Sequence, residues 1–269
     1  MITSNNNAKV KQVVQWQTKA KERRKDHVFL AEGIRMCEEA PVKNVREVYL
    51  TEELEQKIRK NAQNGDTAFW DKLQQTGYET VSTEVFAKMA DTQTPQGILT
   101  VLEQPVYDLT QLLEQPDPLF LMLENLQDPG NLGTMIRTGE GAGITGVIMN
   151  NQTVDIFNPK TIRATMGSIF RVPFVYVPDL ALVLEQMHAK GIYTYAAHLK
   201  GQEYYDSFSF REPTAFLIGN EGNGLSKEIS DQAGQYLKIP MEGRVESLNA
   251  SIAAALLMYE AHRQRSARL

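Results

Sequence analysis

Three stretches concentrate side chains able to orient a polar reaction: "ENLQDPGNLGTMIR" at 124–137, "IGNEGNGLS" at 218–226 and "IPMEGRVESLNASIAA" at 239–254. The first holds Asn131 near a helix start and Arg137 six residues later. The second flanks Glu221 with Gly219, Gly222 and Gly224, and the third brackets Leu248 with Ser247 and Asn249. A carboxamide and a hydroxyl make neutral hydrogen bonds in both directions, whereas a guanidinium offers a fixed fork of donors to phosphate or carboxylate. Glycines let a ligand approach the backbone closely. Each group also has a plain reading taken alone. Asn131 and Ser247 could be helix caps, Ser226 could cap the following "KEIS", and Arg137 could be a surface charge.

A fourth pattern, "GAGITG" at Gly141–Gly146, fits the G-x-G-x-x-G spacing of dinucleotide-binding loops. Such a loop must follow a strand and open a helix, so that the helix N-terminus faces the pyrophosphate. Here the order is reversed: "NLGTMIRTGEGA" has helical spacing before it, and "GVIMNN" reads as a strand after it. The glycines therefore end a helix and turn into a strand. A nicotinamide-dependent oxidoreductase loses its main support.

The elements that must position these groups follow from periodicity. From Leu119 onward, buried-strand runs such as "LFLMLENL", "GVIMNN", "VPFVYV" and "TAFLIGN" alternate with amphipathic segments, the pattern of a parallel sheet covered on both faces. The three polar stretches fall just past the C-terminal ends of strands and before helices, where open α/β sheets bind ligands. The first hundred residues read as a small α/β unit. There "NAKVKQVVQWQTKAKER" is one helix, "VFLAEGIRMCEEA" a strand turning into a helix, and "TEVFAKMAD" a helix with Thr83 as N-cap. Pro105, Pro116 and Pro118 suggest a linker carrying a short helix. At 269 residues the chain suits two domains. The boundaries expected are 1–104, a linker at 105–117, and 118–269.

With 42% hydrophobic and 23% charged residues the composition is that of a folded globular protein. A net charge of -5 excludes a uniformly basic coat. The first 25 residues nonetheless form a basic arm, with Lys19, Lys21, Arg23, Arg24 and Lys25 against Glu22 alone. No apolar leader or membrane-length run is present, so a cytoplasmic protein away from membranes is expected. The single Cys37 reads as a packed thiol on a buried helix side.

Together, "NLQDPGNLGTMIRT", "FLIGNEGNGLS" and "IPMEGRVESLNASIAAA" resemble the three ordered motifs of the SpoU/TrmH class of RNA 2′-O-ribose methyltransferases, within the SPOUT superfamily. The upstream "FLAEGIRMCEEA" is similar to the ribosomal-protein-like (L30e-like) substrate-binding domain of rRNA-directed members. The resemblance implies an α/β domain with a deep trefoil knot, a mostly parallel sheet flanked by helices, and a smaller α/β domain ahead of it. It implies S-adenosylmethionine held by Gly219, Ile239, Met241 and Leu248, and a polar site of Asn131, Arg137, Glu221, Ser247 and Asn249. It also implies an RNA partner and a homodimer formed through the knotted domains. Arg163 and Arg171, in "TIRATMGSIFR", are expected with Lys21, Arg23 and Arg24 to meet RNA phosphates, each having a surface ion pair as its other reading. The chain departs from the family pattern at Gly139 and Gly141, where alanine is common, and at Ala250, where valine is usual.

The implied reaction displaces a sulfonium methyl by a ribose 2′-hydroxyl and needs no metal, because the leaving group departs neutral. It needs an oriented nucleophile and a proton acceptor. The family assigns the acceptor role to Arg137; since a guanidinium keeps its proton, gripping the neighbouring phosphate is an equal reading. Ribosomal RNA of the 23S class is the expected substrate. The alternatives are a transfer-RNA 2′-O-methyltransferase, a base methyltransferase of the same superfamily, and a catalytically silent RNA-binding or ribosome-assembly factor.

Overall fold

The computed structural model describes residues 1–245 and 247–266. The chain forms two compact units, Met1–Pro105 with Phe157–Phe170, and Val106–Ile156 with Arg171 onward.

In the first unit the order is α1 (Ala8–Thr18), α2 (Ala20–Asp26), β1 (Val28–Glu32), α3 (Ile34–Glu39), β2 (Val45–Thr51), α4 (Glu52–Gln63), α5 (Ala68–Thr76), β3 (Glu79–Val81), α6 (Thr83–Met89) and β4 (Ile98–Glu103). The strands pair in the order β1-β4-β2-β3; β2 and β3 run parallel and the other pairs antiparallel. Alternation along each strand splits the core between two faces. Val28, Leu30, Tyr49, Leu99 and Val101 pack with Val13, Trp16 and Phe86, while Val48, Leu50 and Ile98 pack with Cys37, Leu54 and Leu73. Burial pushes the Cys37 thiol up to about 12, as befits a packed rather than a nucleophilic group.

Three local expectations change. The first helix is two, because Lys19 is extended (φ -124, ψ 109) between α1 and α2. Ser82, not Thr83, caps α6 by accepting from the Val85 N–H. The helix α5 was not expected, its sequence "AFWDKLQQT" burying only Leu73.

The second unit follows with α7 (Leu109–Leu113), β5 (Leu119–Leu123), α8 (Pro129–Ala142), β6 (Gly146–Asn150), β7 (Phe174–Val177), α10 (Leu180–Ala189), β8 (Tyr193–Ala197), β9 (Thr214–Ile218), α11 (Lys227–Gln232), β10 (Gln235–Leu237) and α12 (Ala250–Ser266); α9 (Pro159–Thr165) belongs to the first unit. The strands form one six-stranded parallel sheet in the order β10-β8-β9-β5-β6-β7. On one face Phe120, Met122, Ile148 and Leu217 pack with Leu180, Val183 and Leu184 of α10. Helix α12 packs on α8 and β9. The expected linker belongs to this core, since Leu112 and Leu113 are buried in the same cluster and Tyr107 sets its ring edge-on to Phe174 at 5.3 Å.

The glycine pattern takes the place read for it. Helix α8 ends on Gly143 in the left-handed conformation (φ 75), and Gly146 opens β6. A methyl at Gly141 would sit 2.9 Å from Tyr259 Oη, so its absence makes room for α12.

The segment 157–170, expected within the second domain, groups with the first unit. Phe157 and Phe170 flank Phe29 with ring centroids at 5.0 and 6.2 Å, and Thr161, Ile162 and Thr165 are buried. Among the described residues no helix is long and apolar enough to cross a membrane.

Candidate active site

The polar stretches converge at the C-terminal ends of β5 and β9. Asp128 caps α8 by accepting from the Asn131 N–H at 2.8 Å, which puts Asn131 in the first helical turn with its side chain available. Glu221 reaches back to this helix start. Its Oε1 accepts from Asn131 Nδ2 and from the Asp128 N–H, each at 3.0 Å, and its Oε2 from the Gln127 N–H at 3.1 Å. Partial burial alone would raise its pKa. The hydrogen bonds from Asn131 and from backbone N–H groups outweigh that and hold the carboxyl below the ordinary carboxylate range. Glu221 is therefore an ionised strut with both oxygens engaged.

Asn131 Oδ1 in turn accepts from Asn249 Nδ2 at 3.0 Å, and Asn249 Oδ1 accepts from the Ser251 N–H at 2.8 Å and the Ser251 hydroxyl at 2.6 Å. Asn249 thus caps α12, a place that sequence reading offered to Ser247. The result is a continuous relay, Glu221 to Asn131 to Asn249 to Ser251, tying three stretches together. Arg137 lies exposed on α8, and among the described residues its guanidinium makes no hydrogen bond or ion pair. Six residues along a helix turn a side chain by about 240° net, so Arg137 does not overlie Asn131.

Beside the relay lies a cavity of about 310 Å³, and Gly219, Ile239, Met241 and Leu248 all line it, as do Glu221 and Ser247. Gly219 is fixed by backbone approach: a Cβ there would fall 2.0 Å from the Gly224 carbonyl carbon and 2.1 Å from the Leu225 nitrogen. Ile218, Leu225 and Leu237 add to the aliphatic residues named, His198, Asn220 and Asn223 add polar groups, and among the described lining residues the carboxylate is that of Glu221. An aliphatic surface interrupted by polar side chains, at the small end of ligand pockets, fits the adenosyl portion of S-adenosylmethionine, and the carboxylate suits a nearby sulfonium charge. Among the described residues no cluster could hold a metal ion.

The five cations expected to face RNA divide. Lys21 and Arg24 are exposed on α2. Arg23 is a correction: it is only 3% exposed, and its Nη1 donates to the carbonyls of Trp16 at 2.7 Å and Gln17 at 3.3 Å. Those carbonyls end α1, and the guanidinium closes them, so it is withdrawn from any phosphate. Arg163 is ion-paired with Asp91, and Arg171 grips Glu140 through Nε and Nη2. Both pairs are at the surface, where such contacts are weak and exchangeable.

Sequence reading passed over a second set. Asn150, at the end of β6, accepts from the Asn125 N–H at 3.0 Å and donates to Asn125 Oδ1 at 2.8 Å; the Asn125 carbonyl accepts from Asn220 Nδ2 at 2.9 Å. The signal was a polar residue closing the apolar run "GVIMN".

Residues 118–259 match the family model described as the SpoU rRNA Methylase family, and residues 7–100 match the MRM3-like substrate binding domain. The 23S rRNA (guanosine(2553)-2′-O)-methyltransferase RlmP of Bacillus subtilis (strain 168) is 34% identical over 261 residues, spanning 96% of this chain and 97% of that protein. An AdoMet-bound rRNA methyltransferase from Sinorhizobium meliloti superposes with a TM-score of 0.84 at 30% identity, covering 97% of each chain. The SpoU methyltransferase AviRb from Streptomyces viridochromogenes, in complex with AdoMet, gives a TM-score of 0.83 at 27% identity, over 97% of this chain and 99% of that one.

Proposed function

The chain belongs to the SpoU rRNA methylase family, and on that premise we propose that it methylates a ribose 2′-hydroxyl of 23S ribosomal RNA. It is an S-adenosylmethionine-dependent RNA 2′-O-methyltransferase. The observation that carries this reading is the Glu221–Asn131–Asn249 relay bordering a cavity whose walls suit the cofactor.

When bound, S-adenosylmethionine supplies a methyl group on a sulfonium that leaves as a neutral thioether. The protein's part is orientation. Gly219, Ile239, Met241 and Leu248 hold the adenosyl portion, and Asn131 with Ser247 presents hydrogen-bonding groups toward the ribose. Glu221 and Asn249 keep Asn131 in place. Arg137, exposed and unengaged among the described residues, takes the phosphate beside the target ribose in a bidentate contact. Holding nucleophile and electrophile in line is worth several orders of magnitude in rate.

The substrate-binding match to residues 7–100 and the exposed Lys21 and Arg24 support RNA capture by the first unit. Ile239, Met241 and Leu248 line one cavity with Gly219–Leu225, which supports reading this part of the chain as the trefoil knot of the superfamily. Ile252, Leu256 and Tyr259 leave an apolar stripe exposed on α12, which supports a homodimer through this helix. The reading places the enzyme in the cytoplasm, with its ribosomal substrate.

The test is transfer from methyl-labelled S-adenosylmethionine to separated ribosomal and transfer RNA, followed by digestion to nucleosides. A 2′-O-methylnucleoside from 23S RNA is expected, and none with Arg137→Ala. Label confined to bases or to transfer RNA overturns the assignment.

A further inference from the structure

The relay around Glu221 rests on a turn, and the turn rests on something outside the family's expected site. Asn125, two residues past the end of β5, is in the left-handed region (φ 56), a conformation that asparagine tolerates far better than most other residues with a Cβ. Asn150, only 8% exposed, holds it there. Its Oδ1 accepts the Asn125 N–H at 3.0 Å and the Thr153 hydroxyl at 2.9 Å, and its Nδ2 donates to Asn125 Oδ1 at 2.8 Å. Every polar atom of this carboxamide that could fix Asn125 is used for it.

The consequence is the direction of the Asn125 carbonyl. It accepts from Asn220 Nδ2 at 2.9 Å and from Gln127 Nε2 at 3.0 Å. Asn220 Oδ1 accepts from the N–H groups of Gly222 and Asn223 at 2.9 and 3.1 Å, and its backbone pairs twice with Gly224. That turn carries Glu221 and forms one wall of the cavity.

We propose that Asn150 and Asn125 are positioning residues for the methyl-transfer site, acting through Asn220 to set the Gly219–Gly224 turn and with it the Glu221–Asn131 contact. The inference rests on the methyltransferase reading for its kinetic consequence, but not for its effect on cofactor affinity. What matters at 125 is the left-handed backbone, which delivers the carbonyl, rather than the side-chain amide alone.

The experiment compares Asn125→Gly, Asn125→Ala and Asn150→Ala in the full chain. Cofactor affinity is read by titration calorimetry with S-adenosylmethionine, and turnover is split into kcat and the KM for RNA. Asn125→Gly, which adopts the left-handed region without strain and keeps the N–H, should bind cofactor within about twofold of wild type. Asn125→Ala and Asn150→Ala should each weaken cofactor binding by about tenfold, the factor expected for about 1.4 kcal/mol, and lower kcat while leaving the KM for RNA unchanged. A structural role alone would move melting temperature without that split. Equal affinities for Asn125→Gly and Asn125→Ala, or unchanged affinity in Asn150→Ala, overturn the proposal. If wild type methylates no RNA yet the cofactor affinities divide as stated, the reaction assignment fails and the positioning role stands.

Discussion

Asn249 Nδ2 donates to Asn131 Oδ1 at 3.0 Å, joining residues 118 positions apart in the chain. The contact links the first turn of α8 to the start of α12, and Asn131 passes it on to Glu221. Two of the three polar stretches thus meet through one pair of amides, and the third enters through the carboxylate.

That geometry sets a double-mutant cycle. Asn131→Ala and Asn249→Ala should each reduce kcat/KM by about tenfold or more, and the pair should be less than additive by about 0.5–3 kcal/mol, as for groups in one network. Asn249→Ala also uncaps α12, at about 1 kcal/mol, whereas Asn249→Ser keeps a capping oxygen but is too short to reach Asn131. The serine variant should therefore melt close to wild type and still be slow. Additive single effects would show that the two amides act separately.

The carboxyl of Glu221 carries a pH signature. Its folded pKa lies below the ordinary 4.5. A depressed carboxyl contributes stability that is fully present above the unfolded value and is lost as pH falls through the folded one. The melting-temperature advantage of wild type over Glu221→Gln should then be constant at neutral pH and shrink on acidification below about pH 4.5. An advantage that instead vanishes between about pH 8 and 6 would mean that another group is responsible.

Gly219 sits where backbone leaves no room for a side chain. Its added Cβ would run into the Gly224–Leu225 peptide, 2.0 Å from the Gly224 carbonyl carbon and 2.1 Å from the Leu225 nitrogen, and backbone cannot swing aside as a flexible side chain can. Gly219→Ala should cost at least about 2 kcal/mol in denaturant unfolding and abolish cofactor binding. Gly222→Ala, whose methyl would approach nothing closer than 3.5 Å, should unfold like wild type. Similar losses in both would remove close packing as the cause.

Much of this was legible in the sequence because it depends on local pattern. The parallel sheet follows from apolar runs such as "LFLML" and "TAFLI", and the turn into β6 from Gly143 and Gly146. The ordered motifs brought Asn131, Glu221 and Asn249 to one site through resemblance, while their hydrogen-bond order depends on the tertiary fold. Long-range choices were not legible. The grouping of 157–170 with the first unit depends on Phe157 and Phe170 meeting Phe29, more than a hundred positions away, and no period encodes that. The burial of Arg23 depends on the break at Lys19, which turns the end of α1 toward it.

Arg23 shares its charge with its neighbours but not its surroundings. Lys21 and Arg24 face solvent, while the Arg23 guanidinium donates to two carbonyls in the core. Arg23→Ala leaves those carbonyls without their charged donor and should destabilise the fold by about 2–4 kcal/mol. Lys21→Ala and Arg24→Ala should leave stability within about 0.5 kcal/mol of wild type. If they contact phosphates, each should weaken RNA binding evenly across sequences and flatten the salt dependence by about one unit of slope. Denaturant unfolding and RNA affinity measured over a range of salt separate the two outcomes. An Arg23→Ala protein as stable as wild type, with a reduced salt slope, would return that residue to the RNA-facing arm.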